Sequence, residues 1–503
     1  MNNEGLDDFR QIQDLILKSF SFKEDISSYF NVYLSKRLSQ ILATPLRVMR
    51  SSGTRTKDSL IHTEQQGVTF SLEESKFFIT SRVWIRCWIK VISLFIVLQV
   101  ASLWPIRKRF LETTKFNLIF SLTPSQIFRN GSTAELLAFL KEPRFKMDSK
   151  FDFFLIEGKL PMCRSNRTKG LIVTRNIPIY IARNFFGYRD RFNLFLLTFS
   201  KLFLIYRSMK SSPIILLGFN ALFEESIYEL FFRDFPNATL ITTPSQLTLQ
   251  SFAFEIEPNS TLRRRILLWY ATNSIPFEYS NPNLCKADES IYSSASIDEQ
   301  WVWTEEHGAY LSRLNQKPAI VKGSMMFYSR ELFPSQFSIK AKKILLFDVT
   351  PTIYKESDET MYSLRNMQNF VSDVVDVVKT LEGKVDNDFE ILLKPKRKYA
   401  RIHSTEYADL LDKYRNANRI QIIDPETNIY SAIQNTDIVI SIPFTSPAII
   451  ANEMCKPTCY YTGMKGVSLP GASNGIQVIT STRDLRQFLV DSLGLCPNLV
   501  TVE

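Results

Sequence analysis

A chain of 503 residues, 45% of them hydrophobic, is globular and has room for about three domains at roughly 150 residues each. Its 61 Lys and Arg against 51 Asp and Glu give a formal charge of +10, which suits a nucleic acid, an anionic substrate or an acidic membrane surface. No zinc-finger or RNP-type motif argues for the first of these.

The chain opens MNNEGLDDF, acidic and polar where a secretory signal would be basic and then apolar, so a cytoplasmic protein is expected. Residues 1–145 have a mainly helical pattern and form an N-terminal extension. Within it, Arg82, Arg86, Lys90, Arg107, Lys108, Arg109 and Lys115 stand against the single acid Glu112 and flank the apolar run Val91 to Ile106. As a helix this 16-residue run spans only about 24 Å of a roughly 30 Å hydrocarbon core, and Pro105 shortens it. Trp84, Trp88 and Trp104 sit where interfacial aromatics would. The preferred reading is a helix lying on the inner face of the cytoplasmic membrane, attracted by anionic lipid; a buried core helix and a spanning helix are the alternatives.

Residues 146–333 read as an α/β domain, with strands expected at Phe151 to Ile156, Ile214 to Leu217, Thr239 to Thr242, Trp301 to Thr304 and Ala319 to Val321. Glu224 and Glu225 follow the second of these in what looks like a first helical turn. There one carboxylate, raised in pKa by its neighbour and by burial, could serve as a general base, although the helix dipole alone also favours acids at that position. Glu305, Glu306 and His307 are a second candidate set. The segment Phe333 to Lys342 loses apolar periodicity, carries Pro334 and Ser335, and reads as the interdomain linker.

Residues 342–503 alternate clearly. Strands are expected at Ile344 to Phe347, Phe389 to Leu393, Ile420 to Ile423, Ile438 to Ile442, Thr458 to Tyr461 and Ile476 to Ile479, with helices between them. Right-handed crossovers then give a doubly wound Rossmann-like sheet, which binds ligands at the carboxyl ends of its strands. Three such ends are polar: Asp348-Val349-Thr350-Pro351-Thr352, the basic loop Lys394-Pro395-Lys396-Arg397-Lys398, and Pro443-Phe444-Thr445-Ser446. Arg397 offers a bidentate fork to phosphate, Lys394 and Lys396 are point charges, and Thr445 or Ser446 caps a helix whose first position is Pro447. Solvated loops and ordinary capping would also explain these residues. The cysteines are scattered; Cys455 and Cys459 lack a partner pair or nearby His for zinc, so buried reduced thiols are expected, and no metal motif is found.

The Pro443-Phe444-Thr445-Ser446 turn, with the Lys394 to Arg397 loop, Tyr460-Tyr461, Trp269-Tyr270 and Trp301 to Thr304, resembles the family named for its PFTS motif in bacterial surface-polysaccharide biosynthesis. The resemblance covers about 150 to 480. It implies a GT-B-like glycosyltransferase, two Rossmann-like domains facing a cleft, that builds capsule or lipopolysaccharide on a glycan or lipid-linked acceptor; with no DxD-type motif at a strand end and His62, His307 and His403 far apart, a reaction without metal or cofactor is expected. More distantly the chain is similar to Kdo and sialic acid transferases, which implies a CMP-linked donor held by Lys394, Lys396, Arg397 and the four residues Pro443, Phe444, Thr445 and Ser446. Where those enzymes carry His-Pro after an earlier strand, this loop reads Lys394-Pro395. The rival readings are a polyol-phosphate transferase or nucleotide-sugar epimerase of the same fold, and a non-enzymatic scaffold of a membrane polysaccharide assembly complex.

Overall fold

The computed structural model describes residues 60–63, 68–71, 76–79, 81–102, 115–120, 133–145, 152–157, 170–174, 176–209, 215–243, 251–256, 263–271, 278–279, 295–326, 342–351, 361–382, 388–396, 403–464, 467–468 and 475–494. The expected linker up to residue 341, Arg397, Thr352 and the cationic trio Arg107, Lys108 and Arg109 lie outside them. The first described elements are an antiparallel meander, β1 (Leu60–Thr63), β2 (Val68–Ser71) and β3 (Lys76–Ile79), followed by helix α1 (Ser81–Ser102). No Gly or Pro interrupts α1, which begins ten residues before the apolar run expected from Val91. Its Val91 and Leu98, seven residues apart on one face, are fully buried, while Ile89 and Ile96 are 60% and 53% exposed. The helix therefore belongs to the core on one side and to the surface on the other. No helix among the described residues is long and apolar enough to cross a membrane.

The next elements are β4 (Lys115–Ile119), α2 (Thr133–Leu140), β5 (Asp152–Glu157), β6 (Leu171–Thr174), α3 (Ile177–Asn184), α4 (Tyr188–Met209), α5 (Ile215–Asp234), β7 (Thr239–Thr242), β8 (Arg264–Leu268), β9 (Glu278–Tyr279), β10 (Glu299–Val302), α6 (Glu305–Asn315) and β11 (Ala319–Val321). All of these strands except β9 form a parallel seven-stranded sheet in the order β6-β5-β4-β7-β8-β10-β11, with its topological switch between β4 and β7. Two expectations are corrected here. The sheet starts at Lys115 with a central strand, so residue 145 is not its boundary, and the packing of α1 carries the unit further back. The strand expected from Ile214 is helical from Ile215 on, where the described residues begin: α5 starts there, and its buried Leu222, Phe223, Ile227 and Phe231 follow a helical period. A four-residue apolar run fits either structure, and the packing of the following turns decides it.

The second unit contains β12 (Lys342–Phe347), α7 (Leu364–Glu382), β13 (Phe389–Lys394), α8 (Thr405–Asn416), β14 (Gln421–Ile422), α9 (Ile429–Gln434), β15 (Ile438–Ser441), α10 (Ser446–Glu453), β16 (Thr458–Tyr461), β17 (Val467–Ser468), β18 (Gln477–Ile479) and α11 (Thr482–Leu493). Its parallel sheet has the order β14-β13-β12-β15-β16-β18, a Rossmann-type sheet whose switch lies between β12 and β15. The β-branched strand β15 is buried on both faces, and α7 places Met367, Phe370, Val371, Val374, Val378 and Leu381 in one buried stripe. The two units share one apolar core, in which Trp269, Trp301 and Trp303 of the first are continuous with Phe347, Tyr430, Phe444 and Tyr460 of the second. Glu453 accepts from the Ser324 backbone N–H (3.0 Å) and from its hydroxyl (2.7 Å), and β9 pairs with β17 antiparallel, so polar bonds and a small sheet also cross the junction.

Candidate functional site

The switch point of the second sheet brings the three polar strand ends together. Lys394 of β13 pairs with Phe347 of β12, which pairs with Ser441 of β15, so the ends lie on adjacent strands about 5 Å apart. Asp348, at the end of β12, is 3% exposed. It accepts from the Lys396 backbone N–H (2.8 Å) and from the Tyr407 hydroxyl (3.0 Å), which fastens the basic loop beside it. Burial pushes the Asp348 carboxyl up to about 6, with those hydrogen bonds and the charges of Lys396 and Lys394 pulling the other way. The Lys396 side chain is exposed at the rim. Lys394 is not: it is 4% exposed, and its ammonium donates to the Pro425 carbonyl at 2.7 Å. One of its N–H groups is thus committed to the protein, and its charge acts on Asp348.

The Pro443 to Ser446 turn is held tightly. Phe444 has φ 56°, a left-handed conformation that costs a non-glycine residue of order 1–3 kcal/mol and persists only where the surroundings enforce it. They do so here: its ring is 1% exposed and meets Tyr460 edge-on at 5.7 Å. The Tyr362 hydroxyl donates to the Pro443 carbonyl (3.3 Å), and the Tyr460 hydroxyl reaches the Thr445 carbonyl at 3.5 Å. Thr445 is the N-cap of α10, with Pro447 in the first turn. Its hydroxyl turns back to donate to the Ile442 carbonyl (2.7 Å), leaving α10 without a side-chain cap. The uncapped backbone N–H groups at this helix start are suited to an anion. Thr350 Oγ1, in the turn after β12, and Ser441 Oγ, at the end of β15, are buried with no hydrogen-bond partner among the described residues. A water molecule or a ligand atom reaching this switch would complete their bonding.

The sequence matches the model of the polysaccharide biosynthesis PFTS motif proteins over residues 205–489, more than half of the chain and including this turn. The chain belongs to that family. Among solved structures, this PFTS-motif protein is similar to the wall teichoic acid polymerase TagF studied with CDPG, at 10% identity over 84% of this chain and 91% of that one, TM-score 0.36. It is similar to the trehalose-6-phosphate synthase OtsA at 9% identity, 77% and 92% coverage and TM-score 0.41. In the glycosylation-associated protein complex of Streptococcus agalactiae it matches 53% of the aligned chain, about half its length, with 55% of its own, at 15% identity and TM-score 0.33. No protein of curated function matches it in sequence.

On the first sheet of the PFTS-motif protein the two candidate carboxylates separate. Both lie in the middle of α5, not in a first turn, so the helix dipole does not account for either. Glu225 is buried in an ion pair with Lys201 of α4 at 2.5 Å, with side-chain exposures of 2% and 16%. That pairing gives it a packing role. Glu224 instead lines a cavity of about 410 Å³ with Lys90, Asn176, Asn220 and Phe223. A third carboxylate, Glu157 at the carboxyl end of β5, was not singled out from sequence; burial pushes it up to about 7. Burial, with the charges of Glu224 and Glu157 adding to it, pushes the Tyr228 hydroxyl well above its ordinary range. His307 of the second candidate set is fully buried against Trp269, and burial holds it down at about 3, while Glu305 and Glu306 are exposed in the first turn of α6. The described cysteines Cys87, Cys455 and Cys459 are free thiols; Cys459 is buried as expected and Cys455 is exposed.

Proposed function

We propose that this PFTS-motif protein is a GT-B-type glycosyltransferase of bacterial surface-polysaccharide biosynthesis, taking a CMP-linked sugar and working on the cytoplasmic face of the membrane. The observation that carries the reading is the strained, uncapped Pro443 to Ser446 turn at the switch point of a Rossmann-type sheet, beside two buried hydroxyls without partners. In this reading the acceptor hydroxyl attacks the anomeric carbon as the bond from that carbon to the phosphate oxygen breaks. Negative charge builds on the departing phosphate, where the first N–H groups of α10, Ser446, Lys396 and Arg397 neutralise it. The acceptor proton passes to a carboxylate of the first sheet, Glu224 being the one that lines a cavity. No metal ion or cofactor takes part.

Melting the protein with CMP, UDP and GDP tests the donor. CMP is expected to give the largest shift, since a ligand at 100 times its Kd adds about 2.7 kcal/mol. A shift with UDP and none with CMP overturns the donor assignment, and no shift with any nucleotide overturns the transferase reading in favour of a scaffold.

A further inference from the structure

Among the described residues, fourteen of the fifteen exposed large apolar side chains lie on two helices, α1 and α4. On α1, Ile85, Ile89, Ile92 and Ile96 recur at helical spacing; on α4, Phe192, Phe195, Phe199 and Phe203 do the same, and Phe192 and Phe203 are each 63% exposed. The opposite sides of both helices enter one core, where Val91 and Leu98 of α1 join Leu194 and Ile205 of α4. Between them Gln99 Nε2 donates to Thr198 Oγ1 at 2.9 Å. With their inner faces in one core and Gln99 bonded to Thr198, the two helices pack side by side, each with an apolar outer side. Scattered apolar residues need no explanation, but stripes of this kind on two adjacent helices mark a face suited to interaction.

The charge around this face selects its occupant. Helix α1 carries Arg82, Arg86 and Lys90 and no acid; the one acid of α4, Asp190, is bonded to Arg233 at 2.6 Å. Arg86, Lys90, Arg189 and Arg207 are exposed. A second copy docking through the same face would set cation against cation, whereas an anionic lipid surface neutralises them. We propose that α1 and α4 together form the face on which the protein lies on an anionic phospholipid bilayer, with both apolar stripes in the acyl boundary and the four cations at the headgroups. This deepens the membrane reading above, which rests on α1 and its bases alone, by assigning half of the contact to α4.

Flotation of the full chain with vesicles of phosphatidylcholine, with and without phosphatidylglycerol, tests it. The triple variant Phe192→Ser, Phe199→Ser, Phe203→Ser alters only exposed side chains and should lower the bound fraction at least about tenfold on the anionic vesicles. Arg189→Gln with Arg207→Gln, which leaves the apolar surface intact, should weaken binding to anionic vesicles and lose the advantage over neutral ones. Wild-type binding by both variants, with loss in Arg86→Gln and Lys90→Gln, would leave α1 as the sole contact and overturn the assignment of α4. A wild type that binds neither vesicle but sediments as a dimer, made monomeric by the triple change, would give the face to a second copy. The nucleotide melts above are read independently of any of these results.

Discussion

The two parallel sheets share a strand order around the switch, yet they present opposite chemistry at their carboxyl ends. The second sheet gathers an uncapped helix start, hydroxyls and a basic loop around one buried acid, Asp348. The first holds Glu157, Glu224 and the Tyr228 hydroxyl, and carries the apolar sides of α1 and α4 on its flank. On the function proposed above, the second edge would take the leaving phosphate and the first the proton of the incoming hydroxyl, a division in which a transferase would need both halves.

The division breaks first at the two neighbouring glutamates. Glu225→Gln removes one partner of a buried ion pair and is expected to cost about 3 kcal/mol of stability, read from urea unfolding, with the surviving protein keeping its specific activity. Glu224→Gln is expected to do the reverse: at least about a hundredfold loss of turnover with donor affinity and unfolding midpoint unchanged. Near-normal turnover in Glu224→Gln would move the base to Glu157, whose carboxyl near 7 would then set the acid limb of the pH–rate profile, a limb that Glu157→Gln abolishes. On the other sheet, Thr445→Ala combined with Ser446→Ala should weaken donor binding by about 1.5 to 3 kcal/mol by calorimetry, as should Arg397→Ala. Unchanged affinity in either variant would leave Thr445 with its turn-closing bond to Ile442 and the other residues with surface roles.

The smallest expected effect concerns Asp348 and pH. Its folded-state pKa, about 6, lies above the ordinary value of 3.8, so the folded protein binds the proton more tightly than the unfolded chain. The stability this contributes is complete below about 3.8 and is lost as pH rises through about 6. Relative to Asp348→Asn, the wild type should lose on the order of 2 kcal/mol across that window. Parallel pH profiles for the two proteins would show that the hydrogen bonds from Lys396 and Tyr407 offset the burial of the carboxylate.

Legibility in the sequence follows the same line between the sheets. Strands such as Ile438 to Ser441, buried on both faces, read as uninterrupted β-branched runs, and α7 shows a single apolar stripe, so the second sheet could be drawn from sequence almost strand by strand. In the first sheet β4 and β8 begin on Lys115 and on Arg264-Arg265, and the buried Asn117 interrupts β4, which disguises both strands. Helix α4 was illegible because apolar residues occupy its buried and its exposed sides, which erases the period. The PFTS turn was legible because its residues are contiguous. The commitment of Lys394 was not, because its acceptor, Pro425, lies 31 residues away, and Glu157 carries no spacing signal at all.

Five of the six tryptophans lie among the described residues, and they divide into two groups of optical reporters. Trp269, Trp301 and Trp303 are at most 1% exposed in the core that both units share, so their emission changes only if the units part. Trp84 is 40% exposed on α1 and packs edge-on against Trp88 at 6.3 Å, so the proposed contact of that helix with lipid would change the surroundings of both rings. Replacing Trp84, Trp88 and Trp104 by Phe would leave the emission of the buried group to follow the junction between the sheets, while quenching by a water-soluble agent in a protein keeping Trp84 and Trp88 would sample the rings on α1. Unlabelled protein could then follow its arrival at a vesicle and the parting of its two units as separate fluorescence signals.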